Sequence, residues 1–282
     1  MVRTIHVVNQ SASPDGMSPD TIGAAAPGPR QADIERVVAV MRAQPGEPLR
    51  LSDLAEIAAL SPFHFARTFR QVTSIPPGEF LAALRLAQAK RLLLTTDLRV
   101  TDICFEVGYN SLGTFTSRFT QQVGLPPARL RQLAAYGEIS AVPPAGRLHA
   151  ASPAASGVAG WIGGSIAAEP LIFVGLFPAA IPQGWPITCA TLTAPGPFWL
   201  AAPPDGVYHL MAAAMPRTQD PLALLLPDDQ LRVGRADGVL VARQGRVIGP
   251  TAIALRPRRI TDPPILIALP AILAPDRARR VG

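Results

Sequence analysis

Ser111–Pro127 reads SLGTFTSRFTQQVGLPP, and about fifty residues upstream Ser61–Pro77 reads SPFHFARTFRQVTSIPP. Each stretch opens on Ser, carries Phe at i and i+4 (Phe65/Phe69 and Phe115/Phe119) and closes on Pro-Pro. Side chains four apart lie on one face of a helix, so both stretches are amphipathic helices with an aromatic inner side. Each follows a second short segment of helical pattern, LSDLAEIAAL in the first copy and VTDICFEVGYN in the second. Ser52-Asp53 and Thr101-Asp102 place oxygen acceptors where the first N–H groups of those leading helices need them. A tight turn centred on Ala59 or Gly108 joins the two helices of each copy, and Gly suits the positive φ that such a turn requires. Between the copies, GEFLAALRLAQAKRLLLTT predicts a helical strut over residues 79–94. Upstream, QADIERVVAVMRAQPG spaces Ile34, Val37, Val38 and Met41 as a further helix ending at Pro45-Gly46.

Helix, tight turn, helix is the unit whose second helix can lie in the DNA major groove. The phenylalanines account for the inner face of each second helix and leave the outer face unexplained. That face holds Phe63, Ala66, Arg67 and Arg70 in the first copy, and Leu112, Gly113, Thr116, Ser117 and Thr120 in the second. Neither carries a carboxylate, which would repel phosphate. Two such helices on one side of a rigid strut can enter successive major grooves roughly 34 Å apart.

Residues 49–131 resemble the DNA-binding domain of the AraC/XylS transcription regulators. The resemblance rests on LSDLAEIAALSPFHFARTFRQVTSIPPGEF, on RLAQAKRLLL and on VTDICFEVGYNSLGTFTSRFTQQVGLPPARLR, with GYNS, F-x-x-x-F and G-x-x-P its most diagnostic parts. It implies base contacts from Phe63, Ala66 and Arg67 in the first module and from Leu112, Gly113, Thr114, Thr116 and Ser117 in the second. Arg70, Arg99, Arg118 and Arg131 are the candidate phosphate contacts, which position without specifying. Two departures stand out: Ala59 occupies a turn position where the family commonly has Gly, and Leu112-Gly113 offers no side-chain hydrogen bond. The second module is therefore expected to read thymine methyls and groove shape more than donor–acceptor patterns.

The chain has 282 residues, 48% of them apolar, with 31 Pro and 23 Gly, which is too much Pro and Gly for an all-helical protein. The net charge of +6 permits a polyanionic partner, yet the excess is spread along the chain, so charge position has to carry any nucleic-acid argument. Two cysteines are too few for a disulfide framework or a thiolate zinc site. No apolar run reaches the roughly 18–20 residues of a membrane span, and a cytoplasmic protein is expected.

Residues 1–30, rich in Ser, Pro, Gly and Ala, are expected to form a disordered tail. Residues 31–140 form the helical domain, and 141–168, again Pro-, Gly-, Ala- and Ser-rich, a flexible linker that includes GWIGGS. In 169–282 the pattern changes to short apolar runs between Pro and Gly: LIFVGLF, PFWLAA, VYHLMAAA, GVLVA and TAIAL. The expected fold is thus multidomain α and β, an all-α double helix-turn-helix domain followed by an all-β sandwich domain. GVYHL after the PPDG turn resembles a strand of the carboxypeptidase-regulatory or transthyretin-like sandwich. Tyr208 and His209 alternate across that strand and are the candidate effector-pocket residues.

No H-x-x-x-H, G-x-S-x-G or Walker-type loop is present, and Cys104 lacks the Pro-Cys-His-Arg context of the alkylation-response methyltransferases, so no enzyme and no cofactor are expected. The expected function is a sequence-specific transcription regulator on promoter DNA, controlled through its C-terminal β domain. The alternative is a constitutive DNA-binding protein whose β domain only assembles with other proteins. RNA polymerase, a small-molecule effector and a second copy of the chain are the further candidate partners.

Overall fold

The computed structural model describes residues 29–135, 157–164, 166, 170–216, 220–226 and 230–268. Residues 1–28 of the expected tail and 141–156 of the expected linker lie outside the described residues. A helical domain comes first: α1 (Pro29–Ala43), α2 (Leu51–Ile57), α3 (Pro62–Thr73), α4 (Pro77–Thr95), α5 (Val100–Glu106), α6 (Leu112–Val123) and α7 (Pro127–Ala135). The expected pairs are α2–α3 and α5–α6, and α4 is the strut. Phe65, Phe69, Phe80, Phe115 and Phe119 are fully buried in one core with Ile34, Val37, Val38 and Met41 of α1. The rings meet edge-on, Phe65–Phe69 and Phe69–Phe80 each at 5.5 Å between centroids, a geometry that favours aromatic pairs. Truncating one of these rings to Ala is worth about 3–5 kcal/mol.

A sheet-rich region follows, with β1 (Gly157–Gly163), β2 (Pro170–Phe177), β3 (Thr188–Leu192), β4 (Gly196–Ala201), β5 (Gly206–Pro216), α8 (Pro221–Leu225), β6 (Arg232–Arg235), β7 (Leu240–Arg243), β8 (Arg246–Ile248), β9 (Ala252–Ala254) and β10 (Arg256–Pro257). One sheet has the order β4-β1-β9. The other runs β10-β6-β5-β2-β3, with β7 and β8 continuing from the start of β5. Val158, Ile162, Phe198 and Leu200 of the small sheet share a core with Ile172, Val174, Leu176 and Leu210 of the large one. Leu171, Phe173, Phe177, Met211 and Met215 point the other way and form a separate buried cluster with Leu231 and Ile267. Strand β2 is buried along its whole length because both of its faces are covered, and LIFVGLF shows no polar alternation for the same reason.

The linker expectation is corrected at its C-terminal end. Gly157–Gly163, which includes most of GWIGGS, is a strand that pairs antiparallel with β4 and parallel with β9. Two of its glycines are where neighbouring segments press closest: a Cβ on Gly157 would sit 2.5 Å from the Leu200 carbonyl oxygen, and one on Gly160 2.2 Å from that of Thr251. The composition that reads as linker is here a steric requirement of a covered strand.

The two regions are packed together. The core of the helical domain continues into Ile181, Leu225, Leu266 and Ala268. Arg42 of α1 donates to the Ile260 and Asp262 carbonyls, both at 2.9 Å from Nη2. Lys90 of α4 donates to those of Ile265 and Leu266, at 3.1 and 3.4 Å. The apolar stretch Ile265 to Ala268 lies between the helices and the large sheet, with Leu266 and Ala268 in the helical core and Ile267 in the cluster on the large sheet.

Candidate nucleic-acid interface

Both second helices are built alike. Ser61 and Ser111 cap them, accepting from the His64 and Thr114 backbone N–H groups, each at 3.4 Å. Both end on a left-handed residue, Ser74 at φ 72° and Gly124 at φ 92°. The turns before them also need positive φ, 52° at Ala59 and 81° at Gly108. Ahead of α2, the Arg50 N–H donates to the Asp53 carboxylate at 2.9 Å, and this bond, with the Ser52 hydroxyl, holds that carboxyl below its usual range.

With the phenylalanines inside, the opposite faces reach solvent. Phe63 is 82% exposed although it is a large apolar ring, Arg67 is exposed and Ala66 is half-buried. On α6, Leu112, Gly113, Thr114 and Ser117 are exposed and Thr116 half-buried. Leu112, Gly113, Thr116, Ser117, Thr120 and Gln121 line one shallow concavity, smooth and free of charge.

Arg70, Arg99 and Arg118 are exposed, and Arg99 stands 4.0 Å from the Asp102 carboxylate. Arg131 is placed differently from the expectation. It is half-buried, and its Nε donates to the Leu93 carbonyl at 3.2 Å, tying α7 to the end of the strut. A guanidinium turned inward this way is a structural tie and poorly placed for phosphate.

Arg85 carries no signal in the sequence beyond its position on the strut. Its Nε donates to the Pro45 carbonyl at 2.8 Å, Nη2 to that of Glu47 at 2.8 Å, and Nη1 to that of Gly108 at 3.3 Å. One side chain thereby joins the α1–α2 loop, the strut and the turn of the second copy.

Of the candidate effector residues, Tyr208 is buried between the sheets and its hydroxyl donates to the Pro204 carbonyl at 3.0 Å. It fills the core and closes the PPDG turn. His209, on the other face, is half-buried, and its proton affinity is lowered by burial and by Arg235. Neither residue lines a cavity described below. Among the described residues no group of three His, Cys, Asp or Glu side chains could hold a metal ion, and no helix is long and apolar enough to cross a membrane.

The family model described as a helix-turn-helix domain matches residues 54–133, the span from α2 into α7. This span is an AraC-type helix-turn-helix DNA-binding domain. The transcriptional activator AarP of Providencia stuartii is 32% identical to this chain over 83 residues, 29% of this chain and 62% of AarP. The bifunctional transcriptional activator and DNA repair enzyme AdaA of Bacillus subtilis is 35% identical over 92 residues, 33% of this chain and 44% of AdaA. The chain thus spans about three fifths or less of the length of these curated relatives. Among solved structures, the DNA-binding domain of AdpA in complex with a target DNA is 33% identical, covering 38% of this chain and 94% of that one at a TM-score of 0.35. The family model reaches from α2 into α7, and the sheet-rich region lies beyond it.

Proposed function

We propose that this chain is a sequence-specific DNA-binding transcription regulator whose α3 and α6 read two successive major grooves, with the sheet-rich region acting as its controlling domain. The observation that carries this reading is how the two helices are held. The sheet region grips the C-terminal end of each: Arg235 meets the Ser74 hydroxyl beyond α3, the Gly184 N–H donates to the Gln122 carbonyl of α6 at 2.6 Å, and the Ala268 N–H donates to that of Val123 at 3.1 Å. Both helices are therefore anchored by their ends on the same body. The outer faces of their N-terminal halves, where Phe63, Ala66, Arg67, Leu112, Gly113, Thr114, Thr116 and Ser117 stand, carry no carboxylate. That supports a two-groove grip, with Arg70, Arg99 and Arg118 as phosphate contacts.

Arg67 is the sharpest reader. An arginine projecting into the major groove pairs bidentately with guanine, a contact worth about 1–3 kcal/mol of base discrimination. Selection of bound sequences from a random duplex library tests the reading. The full chain yields a site with two recognition blocks about one helical turn apart, and Arg67→Ala loses preference at one base pair of one block. An unchanged profile for that variant removes Arg67 from the readers. Binding to all sequences alike, weakening steeply with salt, reduces the protein to a nonspecific binder. The transthyretin-like sandwich remains the proposed description of the sheet region, in keeping with two sheets facing across one core.

A further inference from the structure

We propose that the cavity at the junction of the two regions binds a small apolar carboxylate. It is partly open to solvent and offers about 160 Å³, close to the size of a hydrophobic cavity that holds one benzene, so its occupant has on the order of ten heavy atoms. Phe173 and Phe177 of β2, Met211 of β5, and Ile265 and Ile267 of the C-terminal segment supply the apolar wall. Phe173, Phe177 and Met211 belong to the outward face of the large sheet, and the cavity lies where the C-terminal segment and the end of α3 meet that face. Val72, Thr73 and Ser74 at the end of α3 supply another wall.

Arg235, Arg256 and Arg259 also line the cavity, against the single carboxylate of Asp262. Arg256 is already matched: its Nη1 and Nη2 each donate to Asp262 at 2.7 Å, and the Arg259 backbone N–H donates to the same group at 2.7 Å. Arg235 and Arg259, both exposed, leave a surplus of positive charge beside the apolar wall. A neutral hydrocarbon would make no use of that charge, and a free phosphate none of the phenylalanines. A compact apolar body with one carboxylate uses both. The Arg235 guanidinium also donates to the hydroxyl of Ser74, the left-handed residue that ends α3. A carboxylate on Arg235 competes with that contact, so occupancy is coupled to how the first reading helix is held. This consequence rests on the regulator reading; the binding itself does not.

Calorimetric titration of the full chain with phenylacetate and hexanoate, against phenylacetamide and hexanamide, tests the site. At least one acid is expected to bind below about 10 mM, with its amide weaker by about tenfold or more. The variant Arg235→Gln/Arg259→Gln, which alters only exposed side chains, is expected to lose about tenfold in affinity for the acid. Ala213→Leu, which narrows the cavity without touching charge, is expected to abolish binding while a matching thermal melt shows the fold retained. No heat from either acid, equal binding of acid and amide, or undiminished binding by both variants overturns the proposal. Selection of DNA sites by the ligand-free protein is run in parallel. Specific DNA binding without acid binding sinks the cavity proposal alone, and acid binding without specific DNA binding sinks the regulator reading alone.

Discussion

Ala59 and Gly108 occupy the same place in the two copies, the turn into the second helix of each pair, and both have positive φ. For an L-residue this backbone costs roughly 1–2 kcal/mol, which Gly avoids. Ala59→Gly is therefore expected to stabilise the protein by about 0.5–1 kcal/mol, the relief of strain being partly offset by the looser unfolded chain. Urea unfolding of the full chain checks this. The reverse change, Gly108→Ala, meets a second obstacle because its Cβ would lie 2.3 Å from the Gly46 carbonyl oxygen. A loss of about 2 kcal/mol or more is expected there, and the asymmetry between the two substitutions is the informative result. The same pattern recurs at the helix ends, where the first copy uses Ser74 and the second Gly124. The second copy meets its positive-φ positions with Gly throughout; the first places Ser74 where its hydroxyl can take part in the contact with Arg235.

At the scale of elements, α3 and α6 are only 12 residues each, too short to be stable by themselves in water. Their positions come from what they are packed on, and the strut α4 with Arg85 supplies much of it. Replacing Arg85 with Met keeps the aliphatic stem and strands three backbone carbonyls, those of Pro45, Glu47 and Gly108. A loss of about 2–3 kcal/mol in urea unfolding is expected, together with weaker binding to the selected DNA site, because the turn of the second copy loses its tether. Retained stability and affinity would assign the fixed geometry to the phenylalanine core alone. The two copies themselves were readable in the residue order: Ser caps, Phe at i and i+4, and Pro-Pro ends are local features. Arg85 was not readable, since an arginine on a helix looks the same whether it reaches solvent or three loop carbonyls.

At the scale of the molecule, the helical domain and the sheet region are joined by the cations Arg42 and Lys90 donating to carbonyls. Lys90, the chain's only lysine, is almost wholly buried, and burial, reinforced by the nearby charge of Arg258, lowers its proton affinity from the ordinary 10.5 to about 7. Arg42, Arg91 and Arg258 surround the same recess. Between about pH 7 and 10.5 the unfolded chain holds a proton that the folded one has released, so stability rises with pH through that window. Below about 7 both states are protonated and the cost is fully present. The gain across the window has an upper limit on the order of 5 kcal/mol. Denaturation between pH 6.5 and 9.5 is expected to show this slope in the native protein and to lose it in Lys90→Met. Equal slopes in the two proteins would show that Lys90 keeps its proton in the fold.

What the sequence determined by itself is everything local or periodic: the repeated helix pairs, the turn residues, the carboxylate-free faces that carry Arg67 and Ser117, and the short apolar runs of the second half. These survive in one dimension because helix and strand place neighbours at fixed offsets along the chain. The tertiary structure alone decided the rest. It made a strand of the Gly-rich stretch at 157–163, turned Arg131 and Tyr208 inward, and set Lys90 against carbonyls about 175 residues away. It also opened a cavity between α3 and the large sheet. These are contacts between groups distant in the chain, fixed only by how two bodies pack, and no spacing along a sequence encodes them.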